Sequence, residues 1–315
     1  MRAIVQNKYG EEAADVLRLE HIDRPEIGDE DVFVRVHAAS VHIGDWHVMT
    51  GLPYLLRVVG FGLRAPKVQV RGMDVAGTVE AVGHSVTRFK AGDDVYGTCD
   101  GSFAEYAATR QDTLAPKPAN LTFEQAAAIP TSAIAALQAL RDAGGLTTGQ
   151  HVLLVGASGG VGLFAIQIAK AFGAEVTAVC STAKVDLVRS LGADHVVDYT
   201  TDVVASGRRY DLILDTVGNQ SVADLRRALT EGGKAAVTGF TSMRRLLGVS
   251  LRGGKDVAQV QAHVTAKDLE LLSALIEAGK VRPQIDRRYP FADIPAAIAY
   301  LEQGHAKAKV VVTMP

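Results

Sequence analysis

HVLLVGASGGVGLFAIQIAKAFGA, residues 151–174, is the stretch on which the fold turns. His151 to Val155 is a short apolar run of the kind that forms a strand buried on both faces. Gly156, Ala157, Ser158, Gly159, Gly160, Val161 and Gly162 make a glycine-dense turn. A helical segment follows, with apolar Phe164, Ile166, Ile168, Ala169 and Phe172, and Gly173 is placed to end it. Strand, glycine turn and helix, in that order, is the setting in which a dinucleotide fingerprint carries meaning. The glycines permit a tight reversal, close approach of the backbone to a pyrophosphate, and close packing of helix on strand. The helix N-terminus adds free N–H groups and the positive end of a dipole. The spacing is GxxGxxG at 156, 159 and 162, not the commoner GxGxxG, and a ligand-free structural turn is the alternative.

The same stretch carries no charge from Val152 to Ala169, long enough to raise a membrane span. Gly156, Gly159, Gly160 and Gly162 within it argue for strand, turn and helix instead. The whole chain has 315 residues, 48% of them hydrophobic and 22% charged, enough for a large core and two domains. Net charge is −2 with both signs dispersed, which gives no general attraction to nucleic acid or to an anionic membrane. The only cysteines are Cys99 and Cys180, so a cysteine-based zinc site is excluded by counting. This usage suggests reduced thiols and a cytoplasmic location. The opening MRAIVQNKYGEE carries early acids and no apolar run of signal-peptide length, so targeting is not expected.

Residues 1 to about 124 read as short strands broken by turns: Ala3–Gln6, Leu17–His21, Asp31–Ala39, Ala76–Val82, Asp94–Thr98 and Ala104–Ala108. That pattern predicts a barrel-like β domain, with residues 55–70 as a loop. Thr122 caps a helical region that Pro130 divides. From 151 to about 240 strands and helices alternate, the sign of a parallel, doubly wound sheet. Strands are expected at 152–155, 175–180, 195–197, 211–215 and 234–238, and helices at 161–172, 184–191, 220–229 and 201–206. A glycine- and arginine-containing loop is expected from about 241 to 255. An amphipathic helix over Thr265–Gly279, a helix within Pro290–Gln303 and a strand at Lys309–Thr313 complete the chain.

Several stretches agree with one family: PEIGDEDVFVRVHAASV (25–41), GMDVAGTVEAVG (72–83), FKAGDDVYG (89–97), GSFAEYA (101–107), GASGGVG (156–162), LGADHVVDY (191–199) and YDLILDTVG (210–218). In order and spacing the chain resembles the medium-chain dehydrogenase/reductase superfamily, in its zinc-independent quinone oxidoreductase branch. The resemblance implies an α/β fold: a Rossmann doubly wound parallel sheet inserted in a GroES-like β-barrel catalytic domain. The expected division is 1–124 and 267–315 for the catalytic domain and 125–266 for the Rossmann domain. Many relatives are dimers, so a homodimer is implied.

The zinc branch of this family carries a cysteine where His42 stands and Gly-His-Glu where this chain has Gly72-Met73-Asp74. His42, Asp45, His47 and Asp74 have acceptable ligand types, but two positions of the family's zinc triad are broken, and no metal is expected. A metal-free site holding a reduced nicotinamide suits electron-poor acceptors, namely quinones and α,β-unsaturated carbonyl compounds. Many relatives have an asparagine at His42, which either donates to a substrate oxygen or is a satisfied core histidine. His47 stands where some relatives place a tyrosine near the nicotinamide. Tyr54 lies close to where related enoyl reductases place a proton-donating tyrosine. Asp45 and Asp74 read as structural.

At the tip of the second Rossmann strand, where a carboxylate would bind the free ribose hydroxyl, the chain has Ser181, Thr182 and Lys184, with no acid before Asp186. Two hydroxyls and a cation favour a 2′-phosphate, hence NADPH over NADH. The alternative is that Ser181 caps the next helix and Lys184 is solvated. By resemblance, Thr131, Tyr199, Val217, Gly218, Thr238, Gly239 and Phe240 complete the coenzyme contacts. The function implied is an NADPH-dependent oxidoreductase acting on a small quinone or enone. A zinc-type alcohol dehydrogenase and an NADPH-binding redox sensor with little turnover are the alternatives.

Overall fold

The computed structural model describes residues 1–55, 57–58, 62–199, 207–304 and 306–315. The chain forms two compact units: Met1–Thr131 with Val264–Glu277 and Pro283–Pro315, and Ser132–His263 with Ala278–Arg282. The first unit is thus built from both ends of the chain. Its boundary lies at 131 rather than the expected 124, because the helix Phe123–Ala127 packs on first-unit strands and Thr131 is hydrogen-bonded to Asp74 there.

The strands of the first half are β1 (Arg2–Gln6), β2 (Leu17–His21), β3 (Asp31–Val41), β4 (Asp74–Val82), β5 (Asp94–Thr98), β6 (Tyr106–Arg110) and β7 (Leu114–Pro116). The second unit contributes β8 (His151–Val155), β9 (Glu175–Cys180), β10 (His195–Asp198), β11 (Tyr210–Asp215), β12 (Leu229–Val237) and β13 (Val257–Gln259). The chain closes with β14 (Ile285–Pro290) and β15 (Lys309–Thr313).

In the first unit β1 and β2 form a hairpin, and a larger sheet runs β14-β15-β3-β4-β5-β7 with β6 also on β3. β3 organises this sheet: β4 lies along one edge, while β6 and β15 share the other, at Asp31–Arg35 and Ala38–Val41. Two register shifts between β3 and β4 bend the sheet. The enclosed core includes Val34, Val36, Val75, Val95, Phe103, Leu114, Val310 and Val312. Each buried side chain of this kind contributes about 1.5–3 kcal/mol.

The second unit is one parallel sheet in the order β10-β9-β8-β11-β12-β13. Counted by appearance this is 3-2-1-4-5-6, the doubly wound order that places a crevice at the carboxyl ends of the central strands. Val152 to Val155 are all buried, as are Gly162 to Ala169 of the helix Gly160–Ala171. The uncharged stretch is therefore a central strand and a sheet-covering helix. Among the described residues no helix is long and apolar enough to cross a membrane. Both cysteines are buried and free.

The expected loop at 241–255 is in fact largely a helix, Met243–Arg252. Ser242 caps it, its Oγ accepting from the Arg245 N–H. Only Val249 is fully inward, so the apolar stripe that would announce a helix is thin. The expected helix at 201–206 falls outside the described residues. β7, β13 and β14 are short or polar enough to leave no strand pattern in the sequence.

Candidate active site

In the second unit every expected coenzyme contact of the sheet lies at or just beyond the carboxyl end of a strand. Val155, Val179 and Cys180, Asp198, Asp215 and Val237 stand in register across β8, β9, β10, β11 and β12. The loops leaving them carry Gly156 to Gly162, Ser181 to Lys184, Tyr199, Val217 with Gly218, and Thr238 to Phe240. Asp215 is fully buried and accepts from the Val217 and Gly218 N–H groups at 2.9 and 2.8 Å, which fixes the β11 loop. The sequence had not marked Asp215, although it ends the quoted YDLILD run.

The glycines of the turn have different reasons to be glycine. Gly156 has φ 76°, and a Cβ there would strike the Thr216 hydroxyl. A Cβ at Gly162 would collide with the Gly156 carbonyl, so Gly162 lets the helix close on the strand. Gly218 and Gly239 allow the β11 and β12 loops to pack backbone against backbone. Gly159 is different. It has φ −81°, which any residue adopts, and the nearest atom to a Cβ there would be the Gly156 carbonyl oxygen at 3.4 Å. Among the described residues nothing requires glycine at the N-cap of the helix Gly160–Ala171. A phosphate brought against that N-terminus would.

At the tip of β9, Ser181 makes no side-chain capping bond, so its hydroxyl is not taken up as a helix cap. Thr182 donates its hydroxyl to the carboxylate of Asp198. Asp198 ends β10 opposite Cys180. An acid thus reaches the β9 tip after all, from the neighbouring strand. Eighteen residues of sequence separate Asp198 from Cys180, and only the parallel pairing brings them together.

In the first unit the polar centre is Asp74, at 0% exposure. Ser40 Oγ donates to its Oδ2 at 2.7 Å, and the Lys309 ammonium lies 3.5 Å from the same oxygen. The Thr131 N–H and hydroxyl both donate to Oδ1. Burial alone would raise this carboxyl, but Lys309, His42 and the two hydroxyls outweigh it and hold Asp74 below the usual carboxylate range. His42 precedes the helix Ile43–Thr50, and Asp45 accepts from its backbone N–H at 2.8 Å. The His42 imidazole Nδ1 is 3.7 Å from Asp45, while its Nε2 is buried with no hydrogen-bond partner. Burial pushes Asp45 up, against the lowering pull of His42.

His47 Nδ1 is bonded to the Leu52 carbonyl at 3.0 Å, and burial lowers its basicity. Tyr54 is 69% exposed. Its ring covers the Arg57 guanidinium, which Tyr9 flanks as well and which donates to the Gly51 and Thr50 carbonyls. The first unit therefore joins His42 and Thr131 through Asp74 and sets Tyr54 in a separate cluster that secures the end of a helix.

Residues 28–119 match the alcohol dehydrogenase GroES-like domain, and residues 191–312 match the family described as zinc-binding dehydrogenase. The chain is 34% identical over 359 residues to the mouse (Mus musculus) NAD(P)H oxidoreductase RTN4IP1, mitochondrial, covering 100% of this chain and 89% of that one. It is 36% identical over 329 residues to the chloroplastic NADPH-dependent alkenal/one oxidoreductase of Arabidopsis thaliana, covering 99% and 79%. The solved quinone oxidoreductase from Coxiella burnetii aligns at a TM-score of 0.88 and 28% identity, over 100% and 99%. The chain belongs to the medium-chain dehydrogenase/reductase superfamily, in its quinone oxidoreductase-like branch. It is an oxidoreductase that works with a nicotinamide coenzyme.

The family description names zinc, and two of the side chains the sequence offers for it are already engaged. Asp74 is saturated by Ser40, Thr131 and Lys309, and His47 turns Nδ1 to a carbonyl. Among the described residues no three His, Cys, Asp or Glu side chains are disposed to hold a metal ion.

Proposed function

We propose that the protein is an NADPH-preferring, zinc-independent reductase of quinones or α,β-unsaturated carbonyl compounds. Gly159 carries the coenzyme assignment: a Cβ there would meet no atom closer than 3.4 Å, so the fold does not call for glycine at this position, whereas a bound pyrophosphate would. Gly156, Ser158, Gly159, Gly160, Val161 and Gly162 hold the pyrophosphate. Ser181, Thr182 and Lys184 receive the 2′-phosphate, and Tyr199 lies on the adenosine side. Val217, Gly218, Thr238, Gly239 and Phe240 lie toward the nicotinamide, a role that the resemblance also gives Thr131. When bound, the coenzyme supplies the hydride.

On the substrate side, His42 is the group for the carbonyl oxygen. Its buried Nε2 lacks a partner, and such an atom costs free energy that a substrate oxygen would recover. As charge grows on that oxygen, a hydrogen bond from His42 stabilises it more than it does the ground state. The proton that completes the product passes through His42 or from solvent, with His47 at the wall of the site. The names of the Arabidopsis and Coxiella relatives support this substrate class. We further place the protein as a homodimer joined through β13, which lies at the open edge of the parallel sheet. The cysteine usage supports a cytoplasmic location, whereas relatives carry mitochondrial or chloroplastic in their names.

The test is a titration of purified, metal-analysed protein with NADPH and NADH, followed by turnover on a small quinone and enone panel. Tighter NADPH binding and turnover without zinc is the expected result. Stoichiometric zinc lost together with activity on chelation would overturn the metal-free chemistry. Tight NADPH binding with no turnover on any acceptor would point to the redox-sensor alternative.

A further inference from the structure

A recess of about 400 Å³ on the first unit is walled by Arg2, His21, Arg24, Arg35, Glu105 and Tyr106. Pro315 also lines the recess, and Glu105, the side-chain carboxylate of the wall, is consumed by Arg2. It accepts from the Arg2 backbone N–H at 2.7 Å and from Nε at 2.9 Å, with Nη2 at 2.8 Å. Among the described residues, no carboxylate lies within ion-pair distance of Arg24 or Arg35. The two guanidiniums are nonetheless gathered around one ring. Arg24 lies 4.2 Å from the centre of the Tyr106 ring, and Arg35 is the cross-strand partner of Tyr106 between β3 and β6. Tyr106 is itself stacked on buried Phe33 at 5.3 Å and 5°. Arg24 is therefore held in place before any ligand arrives, which lowers the ordering cost of binding. His21, across β1–β2 from Arg2, adds a ring nitrogen to the same wall.

We propose that this recess binds the phosphate group of a small organic anion. Two forked guanidiniums with no carboxylate within ion-pair distance among the described residues match the oxygens of a phosphate and its charge. The volume is that of a small-molecule pocket. The recess lies wholly in the first unit and uses none of the residues assigned to coenzyme or substrate.

The experiment is calorimetric titration of the full chain, its coenzyme site first saturated with NADPH, with inorganic pyrophosphate, in the wild type, Arg24→Ala, Arg35→Ala, Tyr106→Leu and Lys184→Ala. Binding that weakens at least tenfold in each arginine variant and severalfold in Tyr106→Leu, but not in Lys184→Ala, is expected. NADPH oxidation unchanged in Arg24→Ala and Arg35→Ala shows that these variants are folded. No binding by the wild type, or equal binding by wild type and arginine variants, overturns the proposal. A second arm uses sedimentation with phosphatidic acid vesicles. Co-sedimentation that depends on Arg24 and Arg35, without pyrophosphate binding, also overturns it, in favour of a membrane surface.

Discussion

Thr131 gives both its backbone N–H and its hydroxyl proton to a single oxygen, Asp74 Oδ1, at 3.0 and 2.5 Å. The hydroxyl is thereby spent as a donor and presents only acceptor lone pairs to whatever lies beyond it. Asp74 in turn is the counter-charge of buried Lys309.

Asp74 and Asp45 are both buried, yet their charges act on stability with opposite sign. Asp74 binds its proton more weakly folded than unfolded, so its ionised form stabilises the fold at neutral pH. That contribution is lost as pH falls through the lowered folded value. Asp74→Asn removes the charge facing Lys309 and is expected to cost about 3–5 kcal/mol in urea unfolding at pH 7, the cost shrinking in acid. Asp45 binds its proton more tightly when folded, so its ionisation opposes folding. Asp45→Asn keeps an acceptor for the His42 N–H and is expected to be neutral or stabilising at pH 7. Equal losses in both variants would contradict this contrast.

Gly159→Ala and Gly162→Ala separate the two uses of turn glycines. Gly162→Ala forces a Cβ onto the Gly156 carbonyl and is expected to lower the melting temperature as well as abolish coenzyme binding. Gly159→Ala meets no closer atom than 3.4 Å and is expected to fold as the wild type. Its affinity for NADPH should fall roughly 100-fold, since a methyl group would occupy the pyrophosphate's place. A Gly159→Ala protein with unchanged NADPH affinity would remove the turn from the coenzyme site.

Coenzyme choice rests on a balance of charge at the β9 tip. Lys184→Ala is expected to weaken NADPH by roughly 10–100-fold and NADH by less than about twofold, the measure of a charge-assisted bond to phosphate. Asp198→Asn works in the opposite direction. It removes a carboxylate from the hydrogen bond with Thr182 and should tighten NADPH more than NADH. Fluorescence titration with both coenzymes reads each effect, and equal changes for the two coenzymes would disprove the phosphate assignment.

His42 and Tyr54 are distinguished by turnover. His42→Phe deletes the hydrogen-bonding group and is expected to lower kcat on enones by about 100-fold, with His42→Asn recovering much of it. Tyr54→Phe removes an exposed hydroxyl but leaves a ring over Arg57, so turnover should stay within about twofold. A large loss in Tyr54→Phe would return that hydroxyl to the reaction.

The parallel sheet was legible because its strands are buried on both faces. Glu175–Cys180 therefore stands out as a largely apolar run between the glycine turn at Gly173 and polar Ser181-Thr182, and the strand has those bounds. Asp94–Thr98 was likewise bounded by turn residues that sequence alone displays. The helix Met243–Arg252 escaped notice because arginines and exposed leucines surround its single inward valine. Asp198 escaped because its place is set by the pairing of β9 with β10, which no local pattern encodes. The place of Tyr54 was no more legible: its distance from Gly51 in sequence resembles a proton donor's, and the Arg57 guanidinium under its ring is a contact that no local pattern announces.

Cys99 and Cys180 lie inside the protein, and burial pushes both thiols up, away from the thiolate. Quinones and enones are electrophiles that add to thiolates, the same reactivity that makes them hydride acceptors. A catalyst that handled them with an exposed, ionised cysteine would be consumed by its own feedstock. With its only two sulfhydryls shielded and protonated, this chain offers the electrophile a hydride but no sulfur, and so survives the company it keeps.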